Sequence, residues 1–324
     1  IRGTNIEVLA SDPSNPVTGQ VWYNSTDNVV KGFYENPGSW ATGNNMNLAR
    51  NTLKGAGTKE AAIGFGGYVP GNNYKNETEL WNGTNWTEVN NLQTARSNLC
   101  QGAGTTTAGL AFGGYTPAVS PNYTILTETW NGSNWTEVND MNTGRVDGGG
   151  CGTNTAALVF GGGNPNLTAD TETWNGTNWT EVANLNTGRS GTQGSGATNT
   201  ASLCFGGYTS SRVANTESWN GTSWTEVNDL STGRNVAGGA GTSTSALCFG
   251  GDTDPASRTG LTESWNGTNW SSKNAMNSGR RQLGDAGASN TSALAFGGED
   301  ASAAGLALTE EWTAGPATVT FTDS

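Results

Sequence analysis

Residues 201–234 read ASLCFGGYTSSRVANTESWNGTSWTEVNDLSTGR. The apolar run ASLCF stops at the double glycine Gly206-Gly207, as suits a buried strand ended by a sharp turn. A loop of mixed composition follows, and TESW then starts a further strand that reaches Trp219. Asn220-Gly221 is a strong hairpin signal, because both residues tolerate positive φ. The chain returns through Trp224 in an alternating WTEV strand and arrives at Arg234. After Arg234 comes VAGGAG, a glycine-rich stretch that suits a strand crowded by other backbones.

The whole chain is built from this unit. FGG recurs at Phe65, Phe112, Phe160, Phe205, Phe249 and Phe296, with spacings of 47, 48, 45, 44 and 47 residues. A period of that size calls for one four-stranded propeller blade per repeat. Each repeat opens on an arginine (Arg50, Arg96, Arg145, Arg189, Arg234, Arg280). Each carries T-E-x-W on its third strand, ending at Trp81, Trp130, Trp174, Trp219, Trp265 and Trp312. Trp86, Trp135, Trp179, Trp224 and Trp270 start the fourth strands. Two tryptophans per repeat imply aromatic layers between blades.

The sixth repeat has no second tryptophan after Trp312. At the other end of the chain, Trp40 precedes Arg50 by the ten residues that separate Trp86 from Arg96. The expectation is an all-β, six-bladed propeller over residues 32–313, its last blade closed by an N-terminal strand that removes the exposed edge. Residues 1–31 read as an N-terminal extension with short strands and 314–324 as a C-terminal tail. VWYN and VVKGFY leave open a seventh, incomplete blade from 17–45.

The order arginine, glycine-rich strand, apolar strand with GG, T-E-x-W, tryptophan resembles the kelch repeat over about 32–313. Only four residues part the tryptophans in WNGTNW, a tighter hairpin than kelch repeats usually have. SDPSNPVTGQVWYNSTDNVVKGF, followed by GAGTxTAALxFGG blades, resembles kelch-like structural proteins of marine tailed phages, and related repeats occur in bacterial surface proteins.

Composition narrows the function classes. The chain of 324 residues carries a formal net charge of −12, which supplies no electrostatic footprint for a phosphate backbone, so nucleic acid is not expected as a partner. No apolar stretch is long enough to span a bilayer, and the first residues lack the blocks of a signal peptide. There is no histidine, which removes the usual general base and the commonest metal ligand. Kelch-type copper oxidases need imidazole, so their activity does not carry over. Cys100, Cys151, Cys204 and Cys248 lack metal-ligand spacing and read as buried thiols. No enzyme activity, metal or cofactor is expected.

Periodic residues read as structural. The repeated arginines and Glu79, Glu128, Glu172, Glu217, Glu263 and Glu310 suit one arginine-to-carboxylate or carbonyl contact used six times. The paired tryptophans read as packing rather than as sugar-stacking platforms, since Trp carries a large buried area. The Asn-x-Ser/Thr triplets at the hairpins read as turn chemistry. Arg2, Arg212, Arg258 and Arg281 fall outside the period and are too scattered in sequence to define a site. Variable loops after each FGG share one face with the connections between blades, and recognition concentrates on loops carried by a rigid scaffold. The candidate binding residues are Tyr68, Tyr74, Tyr115, Tyr123, Tyr208, Arg212, Asp252, Asp254 and Arg258.

The leading expectation is a non-enzymatic virion structural or display protein on a tail fibre, appendage or capsid surface, for host attachment or assembly. Its partners would be other virion proteins or a host-surface protein or glycan. The alternative is a bacterial extracellular kelch adhesin or filament subunit. A carbohydrate-active enzyme is a third class. The uniform face opposite the variable loops offers a surface for a homo-oligomer.

Overall fold

The computed structural model describes residues 6–71, 73–120, 122–255 and 257–321. Among them there are only strands, turns and loops, and six sheets whose blade strands pair antiparallel surround a central axis as a six-bladed β-propeller, with three two-stranded hairpins in the loops between their strands. The first blade runs Lys54–Gly57, Ala62–Phe65, Thr78–Trp81 and Trp86–Val89 from axis to rim. Residues 103–137, 149–182, 193–227 and 238–273 repeat the pattern. The sixth blade takes Gly284–Ser289, Ser292–Phe296 and Thr309–Phe321 from the end of the chain and its outer strand, Val29–Gly43, from the beginning, with Trp40 opposite Trp312. VWYN and VVKGFY are both strands, but they extend this sixth sheet and found no seventh blade. The segment expected as a C-terminal tail continues the third strand to Phe321, paired with residues 30–36.

Small side chains are required at the axis. A Cβ added to Gly194 would lie 2.1 Å from the carbonyl oxygen of Gly150 on the neighbouring blade. The double glycine is fixed by a related constraint. Gly66 and Gly67 have φ of 64° and 113°, and a Cβ on Gly66 would meet the Arg96 carbonyl oxygen of the next blade at 2.8 Å. That same carbonyl accepts a hydrogen bond from Gly67 N at 2.9 Å. FGG therefore ends a strand and also fastens it to its neighbour.

The third-strand tryptophans are all buried and share one setting. Each indole N–H donates to a carbonyl oxygen in the turn between the first two strands of its own blade: Trp130 to Thr106 at 2.9 Å, Trp174 to Asn154 at 2.9 Å and Trp265 to Ser243 at 3.1 Å, with Trp81, Trp219 and Trp312 alike. Five of these rings also lean on a rim tryptophan across the outer hairpin, 5.4 Å away in Trp130–Trp135, Trp174–Trp179 and Trp265–Trp270, and Trp312 leans on the N-terminal Trp40 at 5.5 Å. These pairs reach beyond their own blade. Trp130 belongs to the apolar cluster of Ile63 and Phe65, Trp174 to that of Leu110 and Phe112, and Trp265 to that of Leu203 and Phe205, in each case residues of the preceding blade. The two tryptophans of a repeat thus form one layer between blades.

Three further repeated contacts close the ring. The FGG phenylalanine packs against the rim tryptophan of the following blade, as in Phe65–Trp135 at 5.1 Å, and the same contact joins Phe249 to the N-terminal Trp40 at 5.0 Å and Phe296 to Trp86 at 4.8 Å. Each rim indole N–H donates to the T-E-x-W threonine of the preceding blade, for example Trp135 Nε1 to Thr78 Oγ1 at 3.0 Å and Trp40 Nε1 to Thr262 Oγ1 at 3.0 Å. Each repeated arginine pairs with the glutamate of its own repeat. Arg145–Glu172 measures 2.6 Å and Arg189–Glu217 2.7 Å, and both side chains of every pair are buried. Glu172 also accepts from Asn142 N and Asn142 Nδ2, both at 2.8 Å. It therefore clamps the connection entering the blade to the blade's third strand.

Another set of bonds encircles the mouth of the channel. The residue two places after each arginine has a left-handed backbone: Thr52, Asn98, Asp147, Gly191, Val236 and Gln282, with φ from 46° to 60°. Each backbone N–H donates to the carbonyl of its predecessor, and Thr52 N to Gln282 O completes a closed ring of bonds 2.8–3.1 Å long. Only Gly191 adopts this conformation without steric cost. Val236→Gly is expected to raise stability by about 0.5–1 kcal/mol, because release of the β-branched strain exceeds the entropy cost of glycine. Thermal melting of the variant checks this.

Candidate functional site

Variable loops and blade connections meet on one face. Antiparallel bridges join the residue after each repeated arginine to the loop after FGG, in Asn51–Tyr68, Ser97–Tyr115, Val146–Gly163, Ser190–Tyr208, Asn235–Asp252 and Arg281–Glu299. This brings loops of low sequence similarity to the rim of the channel mouth. The nine candidate binding residues all lie there, divided between an aromatic group and an ionic one.

The aromatic group spans the first two blades. Tyr68 and Tyr74 face each other across a small hairpin with ring centroids 5.4 Å apart, Tyr74 lies 5.5 Å from Tyr115, and Tyr115 6.1 Å from Tyr123. Tyr115 Oη accepts from Asn122 Nδ2 at 3.0 Å. Burial pushes the Tyr74 hydroxyl above its ordinary range, so it stays a neutral donor at physiological pH. Tyr208 lies apart, on the fourth blade, with the Arg212 guanidinium 6.0 Å from its ring centre.

The ionic group spans the fourth to sixth blades as a chain of alternating charge. Arg212 binds Asp254 at 2.6 Å and Asp252 at 3.2 Å, Arg281 binds Asp252 and Glu299, and Arg258 reaches Glu299 at 3.1 Å. The hydrogen bond to Asp254 is the chief reason that Arg212 is held above its usual range, and the same bond lowers Asp254. Arg281 is also raised: burial opposes its charge, but bonds to Glu299 and the field of Asp252 outweigh it. Three of the four off-period arginines, scattered in sequence, are thus gathered through shared carboxylates, while Arg2 lies outside the described residues. Arg281 and Glu299 stand outside the candidate set that the sequence supplies. Their signal is the break in the Asn/Ser/Val pattern after the repeated arginine, where Arg281 stands.

Between the two groups lies an open depression of about 390 Å³. Tyr68, Tyr74 and Tyr115 form one side, Arg281 and Glu299 the other, and the left-handed ring residues Thr52, Asn98 and Gln282 the floor. Glu299 is engaged by Arg281, Arg258 and Asn51, the last at 2.7 Å, so its charge is neutralised inside the protein. The ionic chain holds three arginines against three carboxylates. The surface offered to a ligand is therefore aromatic and polar with little net charge.

The channel below is plugged. Gln101 crosses the axis, its Nε2 3.2 Å from Asp285 Oδ1 and its Oε1 accepting from Gly194 N at 2.8 Å. The opposite mouth is a funnel of about 370 Å³ lined mainly by glycine, alanine and threonine of the innermost strands and uniform turns, with Gln101 and Asp285 among its lining residues. Burial pushes Asp285 up to about 6, against the Lys54 charge and bonds from Gly239 N and Gln101. An acid raised in the folded state binds its proton more tightly there than in the unfolded chain, so its contribution is full below the unfolded value and is lost as pH rises through about 6. Asp285→Asn is expected to abolish a stability change on the order of 3 kcal/mol between about pH 4 and pH 7. Urea midpoints of both proteins across that range check the slope.

The four cysteines are free and buried, and burial raises all of them, Cys151 and Cys248 to about 12, so they remain neutral thiols. Among the described residues no group of three or more Asp, Glu or Cys side chains is placed to hold a metal ion, and no helix is long and apolar enough to cross a membrane. No protein-family model matches the chain, and no curated protein matches it in sequence.

Proposed function

We propose that this chain is a non-enzymatic display propeller of kelch type, carried on the virion surface of a tailed phage in a tail fibre, tail appendage or capsid. Its variable-loop face engages a host-surface glycan or protein, or a neighbouring virion protein. The binding role rests on one observation, the separation of repeated from unrepeated residues. The repeated Arg, Glu and third-strand Trp residues are buried in contacts that hold the scaffold together, whereas the unrepeated Tyr68, Tyr74, Tyr115, Arg281 and Glu299 line one open depression, with the rest of the ionic chain extending from its Arg281 and Glu299 side. Tyrosine supplies amphipathic contact area at low entropic cost. Neutralised charge favours polar ligands of low net charge over phosphate backbones. The virion placement is supported by the N-terminal segment SDPSNPVTGQVWYNSTDNVVKGF and the acidic repeats, and the absence of histidine supports a role without catalysis.

Immunogold electron microscopy of the source material, with an antibody against the propeller, is expected to label tails, fibres or heads of virus particles. Label on cell surfaces or particle-free filaments would end the phage reading in favour of a bacterial adhesin or filament. For the face itself, the double variant Tyr74→Ala/Tyr115→Ala should weaken attachment to host cells by at least ~10-fold. Unchanged attachment would move recognition elsewhere on the molecule.

A further inference from the structure

The terminal strands build a second surface, remote from the propeller mouth. Thr313 is the last residue of the sixth blade's third strand with an inner partner, Ser292, so residues 315–321 extend beyond the blade paired only with residues 30–36. Val21–Asn24 pairs antiparallel with Val29–Gly43, and Glu7–Leu9 adds in parallel to Val21–Asn24. The result is a four-stranded arm made from both ends of the chain.

Register decides what each face of this arm carries, since side chains alternate along every strand. Val8, Tyr23, Val30 and Phe321 form one cross-strand row, Val21, Gly32 and Val319 the next, and Tyr34 and Ala317 a third. Every member of these rows is apolar or aromatic, and none is charged. Phe321 lies over Gly32, where a Cβ would meet its ring at 2.9 Å. The opposite face holds Glu7, Trp22, Asn24 and Lys31, and there the chain covers itself. Asp12 accepts from Trp22 Nε1 at 3.0 Å, from Asn24 Nδ2 at 2.8 Å and from Lys31 Nζ at 2.9 Å, and Trp22 is fully buried. The apolar face receives no such cover from any described residue. Val8 is 66% exposed, Phe321 52%, Tyr34 42% and Val319 40%.

We infer that this face is the contact through which two copies of the chain associate, arm on arm, about a two-fold axis. The occupant follows from charge and area. A protein of net charge −12 resists its own approach, so self-contact needs a locally uncharged surface, and this face offers one. In an isologous pair the same patch meets itself, and an all-apolar patch is then complementary by construction. Half-exposed side chains of this size present on the order of 500 Å² per copy. Two copies would bury on the order of 1,000 Å² in total, which meets the lower bound for a specific interface. The arm leaves the sixth blade at Thr313, the end of the strand away from the variable loop that precedes Thr309, so the pair would present two copies of the candidate binding face.

Analytical ultracentrifugation of the full chain tests the inference. The wild type is expected to sediment as a concentration-dependent dimer. Val319→Lys, which places a charge in the face, should raise the dissociation constant at least ~100-fold, while Thr320→Lys on the opposite face should leave it unchanged. Tryptophan-fluorescence melts within a few degrees of wild type confirm that both variants retain the propeller. A wild type that stays monomeric at about 100 µM, or an assembly that persists in Val319→Lys, overturns the inference. The result is independent of what the variable-loop face binds.

Discussion

Replacing Glu172 with alanine is expected to lower the unfolding free energy by about 3–5 kcal/mol, the range seen when one partner of a buried ion pair is removed. The size follows from what is left behind. Arg145 is fully buried, and its remaining partners are the carbonyl oxygens of Thr143, Gly161 and Asp170, which cannot balance its charge. The amide hydrogens of Asn142 and Thr143 lose their acceptor as well. Urea denaturation followed by tryptophan fluorescence measures the loss. The double variant Arg145→Met/Glu172→Leu removes the stranded charge and should recover much of it, because well-packed apolar residues often replace a buried pair without penalty. A single-variant loss under about 1 kcal/mol would mean that the clamp does not hold the blade connection. The effect should also be nearly equal for Glu128→Ala and Glu217→Ala, since all three carboxylates serve the same geometry.

That equivalence is why the scaffold can be read from sequence and the candidate site only in part. A residue type that recurs every 44–48 positions declares its role six times, and the closure of the last blade by Trp40 follows from the same count. Contacts that use no repeated side chain leave no such trace. The left-handed ring at the mouth is made by backbone atoms and tolerates Thr, Asn, Asp, Gly, Val and Gln, so only Gly191 hints at it. The off-period arginines look unrelated because 46 residues separate Arg212 from Arg258 and 23 more reach Arg281. In a propeller one period of sequence is one blade of rotation, and a single aspartate, Asp252, can join neighbours that far apart. The arm is obscured differently. Gly315 and Pro316 interrupt the alternation after Trp312, and the strand register passes them through an irregularity between Asn36 and Ser39.

The same closure sets the second large effect. Trp40→Ala is expected to cost about 3–5 kcal/mol as a cavity, and the damage should exceed that of the matching substitution at an internal junction, Trp135→Ala. In the second blade, Trp135 stands on a strand tied to its neighbour by the Asn131-Gly132 hairpin, so a lost ring leaves the register in place. Trp40 stands on a strand delivered from the far end of the chain. No hairpin ties it to Thr309–Phe321, and its indole supplies the contact to Trp312 within the sixth blade and the contact to Phe249 and the bond to Thr262 that join the fifth and sixth blades. Loss of these contacts frees a long strand edge from Thr309 onward and opens the ring at one place. Hydrogen exchange distinguishes the two variants. Amides between residues 309 and 320 that bond to residues 30–43 should lose most of their protection in Trp40→Ala, while those between residues 128 and 130 that bond to the outer strand stay protected in Trp135→Ala. Equal, ring-wide loss in both would show that the propeller opens as one cooperative unit and that its terminal closure is no weaker than its hairpins.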